Sequence, residues 1–255
     1  MAGHKIFFSN IGYARGIDGT LWQHILYAHR HIYFGMEAQQ KVLLKLKEII
    51  ALEQPDLCCF VEVDNGSFHS SYYNQIQYLI DHDYVFHDIS CKYGTDNWLS
   101  ELPLFKGRCN AFIAKSVLPF ERLYFRHGSK RLIHKITLVD DVLLYFTHFS
   151  LQKTIRKQQL AEIKEMVKAQ KTETILLADF NILDGFGELE PLMDDLDLIL
   201  LNDENDPTFT FHRTRRVLDL CLCSSGIADR VSMRILPQPF SDHAGLLVEY
   251  ISSST

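Results

Sequence analysis

Apolar residues in this chain come in short runs whose spacing changes along the sequence. Residues 5–9 (KIFFS) form one brief run, and 56–63 (DLCCFVEV) form a longer one, continuous enough to predict a buried strand. Pro55 precedes that second run, and Asp64-Asn65-Gly66 follows it as a turn signal. Between the two, residues 38–52 place Val42, Leu46, Ile49 and Ile50 at helical spacing, with a break at Gln54-Pro55. The pattern further predicts a helix over 68–80 and strands over 84–89, 110–114, 118–126, 131–138 and 142–148, with turns at His127-Gly128 and Asp140-Asp141. A second amphipathic helix over 154–169 sets Leu160, Ile163 and Val167 on one face, and strands follow at 174–178, 217–223, 231–236 and 246–251.

Many short strands with interposed helices, lacking strict strand-helix alternation, predict an α/β fold of the α+β kind. The expected architecture is a four-layer sandwich in which two packed mixed sheets are flanked by helices. No repeat, heptad array or low-complexity tract divides the chain, so 1–255 reads as one domain. Residues 12–34 stand apart as a polar insertion, rich in histidine and aromatics and without strong periodicity.

Composition narrows the class. With 47% hydrophobic residues, 13 Gly and 7 Pro, the chain is neither disordered nor collagen-like. Its 26 Lys plus Arg against 32 Asp plus Glu give a net charge of −6, which excludes a uniformly basic nucleic-acid coat but not a local patch. The six cysteines lie mostly in apolar runs without a Cys-x-x-Cys spacing, so they read as buried thiols in a reducing compartment rather than as disulfides or a zinc site. The first residues lack the apolar core of a signal peptide, and no apolar run is long enough to span a bilayer. A cytoplasmic monomer is the expectation, with export by a signal-less route left open.

Chemistry-bearing residues fall at the ends of predicted strands, where a sheet holds side chains and loops leave room for substrate. They are Asn10, Glu62, His148, Asp179 with Asn181, Asp219 inside an apolar run, and Asp242-His243 before the last strand. Carboxylate and amide oxygens without thiolates suit Mg²⁺ or Mn²⁺, and the histidines supply proton transfer near neutrality. An Asp without a partner in an apolar run is costly, which speaks for a role at Asp219.

The ordered series SNIGY, FVEVD, THFSL, LADFNI, RRVLDL and SDH resembles the endonuclease/exonuclease/phosphatase superfamily, which includes deoxyribonuclease-I-like and abasic-site nucleases, sphingomyelinases and inositol-polyphosphate 5-phosphatases. The match runs from Asn10 to His243. By resemblance, Glu62 binds the metal with Asn10 and Asp242 completing or flanking that site. Asp179 orients or deprotonates the attacking water, and Asn181 holds a phosphoryl oxygen. His243 is the late histidine whose tautomer Asp219 fixes, and His148 helps stabilise the charged transition state. GRCNAFIAK resembles the family's Gly-x-x-Asn-Ala strand, placing Asn110 toward the site, and Arg216 is a further contact for substrate phosphate.

Two departures stand out. Val61 replaces the usual Gln before the metal glutamate, and the inositol 5-phosphatase signatures are absent, with Ala178 before Asp179 and Arg216-Val217-Leu218-Asp219 in the later block. The implied activity is a Mg²⁺-dependent phosphodiesterase acting on nucleic acid or a lipid headgroup by in-line attack of water. A phosphomonoesterase and a catalytically silent phosphate-binding module are the alternatives. The histidines of the insertion read as surface residues rather than ligands. Lys106, Arg108, Arg122, Arg126, Lys130, Arg131, Arg213 and Arg215 offer either phosphate contacts or a solvated face.

Overall fold

The computed structural model describes residues 3–94, 102 and 105–253. The chain opens with β1 (Gly3–Asn10), the short α1 (Leu21–Leu26), α2 (Met36–Glu53), β2 (Leu57–Asp64) and α3 (Gln75–Leu79). A run of strands follows: β3 (Phe86–Cys91), β4 (Arg108–Ala114), β5 (Phe120–Tyr124), β6 (Leu132–Thr137) and β7 (Leu143–His148). Then come α4 (Lys153–Gln170), β8 (Thr174–Asp179), α5 (Glu190–Leu196) and β9 (Leu198–Leu200). The remainder holds β10 (Phe209–Phe211), β11 (Thr214–Arg216), β12 (Asp219–Ser224), β13 (Val231–Leu236) and β14 (Gly245–Ile251).

Two six-stranded mixed sheets, ordered β13-β14-β1-β2-β4-β3 and β5-β6-β7-β8-β12-β9, pack face to face. Parallel pairing is confined to β1 with β2 and β7 with β8, the rest being antiparallel. Alternation along each strand sorts the core into layers. Ile6 and Phe8 of β1, Cys59 of β2, Phe146 of β7, Leu177 of β8 and Cys221 of β12 meet between the sheets. Their neighbours face outward: Phe7, Cys58 and Phe60 against α2, and Tyr145, Leu176 and Leu222 against α4 and α5. The architecture is therefore helix, sheet, sheet, helix, as the sequence pattern predicts.

α2 buries Val42, Leu43, Leu46 and Ile50 and stops at Gln54, which turns left-handed (φ 52) immediately before Pro55. The helix expected over 68–80 is not continuous. A 3-10 turn at Phe68–Ser70 gives way to Ser71 and Tyr72 at φ 55 and 58, and only Gln75–Leu79 is α-helical. Asp64 explains the break: its carboxylate accepts from Ser67 N (2.6 Å), Ser67 Oγ (2.5 Å) and Ser70 Oγ (2.7 Å), so short polar side chains win the contest with helical backbone bonds. The hairpin β10-β11 and the α5-β9 unit are additions that the periodicity does not show. Among the described residues no helix is long and apolar enough to cross a membrane.

Candidate active site

The strand ends β1, β2, β7 and β8 run parallel toward one end of the sandwich, and β12 and β14 begin there. Asn10, His148, Asp179 and Asp219 each follow the parity of the between-sheet residues, so their side chains point into the gap where the sheets open. Glu62 needs a device. Simple alternation would put it on the helix side with Cys58 and Phe60. A bulge between Phe60 and Val63, with Glu62 itself at φ 55, turns its carboxylate to the cleft instead. The result is a cleft of about 220 Å³ lined by Asn10, Glu62, His148, Asp179, Asn181, Asp242 and His243.

A chain of polar contacts runs through it, hydrogen-bonded at both ends and closed in the middle by an ion pair between His243 and Asp179. Asp219 Oδ2 lies 2.7 Å from His243 Nδ1, so the carboxylate fixes the ring and leaves Nε2 facing the cleft. Thr208 Oγ1 steadies Asp219 from behind by accepting from the backbone N–H of Leu218 and of Asp219, each at 2.9 Å. Asp179 Oδ2 accepts from Asn10 Nδ2 at 3.0 Å and sits 3.9 Å from His243 Nε2. Gly12 N–H donates to Asn10 Oδ1 at 3.0 Å, which sets the amide's orientation and leaves that oxygen one free lone pair. Asn181 donates from its backbone N–H to Asp179 Oδ1 (3.1 Å) and from Nδ2 to Phe149 O (2.9 Å).

The charge states follow from this setting. Burial pulls the His243 pKa down, but Asp219 and Asp179 pull it up harder, to about 10, so the ring is an imidazolium at neutral pH. Burial raises Asp219 to about 6, against the pull of His243, and also raises Asp179. His148 moves the other way: burial, then the positive charges of Lys130 and Lys92, keep it neutral. Its Nε2 touches Lys130 Nζ and lies 3.2 Å from Asp179 Oδ2. With an ammonium in contact, Nε2 accepts, which leaves the proton on Nδ1, buried without a hydrogen-bond partner among the described residues and 3.8 Å from Glu62 Oε1.

Oxygen donors dominate the side of the cleft around Glu62, where a divalent cation could be held. Among the described residues the Glu62 carboxylate receives no hydrogen bond, and Lys92 Nζ and the neutral His148 Nδ1 are both 3.8 Å away. Asp242 is raised first by burial and then by the negative charge of Glu62. Two carboxylates that repel each other beside an amide oxygen with a lone pair to spare fit a hard cation. Asp179, Asp219 and His243 also gather within 4.8 Å and could hold an ion. There His243 Nδ1 is already engaged by Asp219, which favours proton transfer over ligation at that point.

Some sequence-based expectations are met differently. Arg216 is exposed on β11 and does not line the cleft. Asn110 shares the inner face of β4 with Phe112, yet it too is absent from the cleft wall, and its buried Oδ1 has no hydrogen-bond partner. Two histidines of the insertion, the half-buried His24 and the exposed His31, also stand at the cleft: they line it and stack with ring centres 5.8 Å apart. The sequence did not single out Lys92 at all. It is buried at the end of β3, touches Tyr13 Oη, and is pulled down to about 7 by burial despite Glu62. No periodicity marks such a residue, because only the pairing of β3 with β4 and β4 with β2 brings it to Glu62.

Similar folds are known. An endonuclease/exonuclease/phosphatase from Beutenbergia cavernae matches with TM-score 0.67 and 16% identity, over 98% of this chain and 71% of that one. The endonuclease domain of TRAS1, a telomere-specific non-LTR retrotransposon, gives 0.60 and 15%, over 98% and 100%. Sphingomyelinase C from Streptomyces griseocarneus gives 0.61 and 15%, also over 98% and 100%. Comparison with curated protein sequences finds no match. A sequence profile, however, covers residues 37–243, and on that match this chain belongs to the Endonuclease/Exonuclease/phosphatase family.

Proposed function

We propose that the chain is a divalent-metal-dependent phosphodiesterase that cleaves a nucleic-acid or phospholipid-type phosphodiester, working as one catalytic domain and as a monomer. The observation that carries this reading is the relay Asp219, His243, Asp179 and Asn10 at the mouth of the sandwich. It combines a buried carboxylate base with a charged imidazolium, beside oxygen donors suited to a hard cation. Glu62, Asp242 and the Asn10 amide oxygen would hold Mg²⁺ or Mn²⁺, which when bound supplies neutralisation of developing negative charge.

The chain's own residues supply the rest. Asp179, made more basic by burial, takes a proton from water as its oxygen bonds to phosphorus. The ester oxygen leaves in line, and His243 gives it the Nε2 proton while Asp219 stabilises the ring. Asn181 has a second N–H for a phosphoryl oxygen, and Lys92 and Lys130 add positive charge around Glu62. The names of a sphingomyelinase C and a retrotransposon endonuclease among structures of this fold support both substrate classes. Five of the six cysteines are buried and all six are free thiols, which supports action in a reducing compartment such as the cytoplasm.

The test is hydrolysis of bis-p-nitrophenyl phosphate with Mg²⁺, with Mn²⁺ and with excess chelator, followed by a panel of plasmid DNA, RNA, sphingomyelin and phosphoinositides. Metal-dependent release of nitrophenol is expected. Absence of hydrolysis on every substrate would leave only a binding module.

A further inference from the structure

Helix α1 turns its apolar side the wrong way for a helix that seats on a core. Trp22, Ile25 and Leu26 are 78, 60 and 65% exposed, and no residue of the helix is buried. Its polar members face the protein instead: Gln23 Nε2 donates to Asp18 Oδ2 at 2.7 Å, and His24 lines the cleft and packs against Phe211 with ring centres 4.8 Å apart. A surface helix normally hides its apolar stripe. Here the stripe is presented to solvent at the cleft mouth.

The adjoining hairpin β10-β11 is fastened to the insertion by His212 N–H, which donates to Gly19 O at 2.6 Å. It carries the exposed Phe211 together with Arg213, Arg215 and Arg216, none of which pairs with a carboxylate among the described residues. A chain of net charge −6 thus gathers unpaired cations around exposed apolar side chains beside the entrance to its cleft.

We propose that this rim, α1 with the β10-β11 hairpin, docks on the surface of an anionic phospholipid bilayer. Trp22, Ile25 and Leu26 enter the boundary between headgroups and acyl chains, and Arg213 and Arg215 meet lipid phosphates. Aliphatic side chains at three of the four exposed apolar positions of α1 favour lipid over nucleic acid, since Leu and Ile offer no ring on which a base can stack. A docked lipid would present its headgroup phosphodiester to the cleft. That consequence rests on the phosphodiesterase reading above, whereas the docking does not.

The experiment is co-sedimentation of the full chain with vesicles of phosphatidylcholine alone and of equal parts phosphatidylcholine and phosphatidylserine. Wild type is expected to bind the mixed vesicles and to favour them over phosphatidylcholine. The double variant Trp22→Ser/Ile25→Ser is expected to partition about tenfold or more weaker, while hydrolysing soluble bis-p-nitrophenyl phosphate at the wild-type rate. Arg213→Ser/Arg215→Ser is expected to lose the preference for phosphatidylserine. The proposal is overturned if wild type stays in the supernatant, if the variants bind as wild type does, or if single-stranded DNA is bound through Trp22 while vesicles are not. Vesicle binding without hydrolysis of the soluble diester would sink the phosphodiesterase reading and leave the docking standing.

Discussion

Asp219 shows how much a single buried carboxylate does at this site. Its charge holds His243 protonated, and its hydrogen bond holds the ring so that Nε2 faces Asp179. Asp219→Asn keeps the shape and removes the charge, so kcat is expected to fall on the order of a hundredfold to ten thousandfold. Because Asp219 helps raise His243 to about 10, the alkaline limb of the pH-rate profile should also move to lower pH in the variant. An unchanged limb would show that another group gives the proton. Asp219 was legible in the sequence because a carboxylate in an apolar run demands a partner, and Asp179 and His148 were legible as strand ends. Glu62 was legible as a residue, but its bulge was not, since a left-handed glutamate leaves no mark in the pattern. Lys92 and Lys130 could not be placed, because their partners Glu62 and His148 are neighbours only in space.

Between elements, the two edge strands β3 and β5 belong to different sheets, and Asp88 ties them together. Its carboxylate accepts from His134 Nε2 at 2.8 Å, from Ser90 Oγ at 2.7 Å and from the Arg122 guanidinium. Burial alone would raise Asp88, but the bonds from His134, Arg122 and Ser90 hold it well below the usual aspartate range. A lowered carboxylate stabilises the fold above its unfolded value of ~3.9, and that stability is lost as pH falls through the folded value. His134, lowered by burial, adds a cost that begins as pH falls below ~6.5, where the unfolded chain takes a proton more readily. Asp88→Asn is therefore expected to cost about 2 kcal/mol near pH 7, less than a fully buried pair because Arg122 is half exposed. Urea unfolding should show the gap between variant and wild type narrowing on acidification below the ordinary aspartate range. A gap that stays constant would mean that packing, not charge, ties the strands. The helix expected over 68–80 failed for a related reason: hydrogen bonds from Ser67 and Ser70 to Asp64 outweighed a helical spacing that apolar residues alone suggested.

Across the whole molecule, the site draws on both sheets. Asn10 and Glu62 come from one, and His148, Asp179 and Asp219 from the other, so the relay exists only while the sheets stay packed. Loss of activity in denaturant and loss of far-ultraviolet ellipticity should then share one midpoint. Activity lost well before ellipticity would point to a rim that melts on its own. Phosphodiester hydrolysis by Asp179 and His243 is the function proposed above. It is tested most directly by single-turnover hydrolysis of bis-p-nitrophenyl phosphate with Mg²⁺, comparing wild type with Asp179→Ala and His243→Ala at matched folded fraction. A metal-dependent wild-type rate is expected, with a loss in each variant of about a hundredfold or more. Equal rates in all three proteins would contradict it.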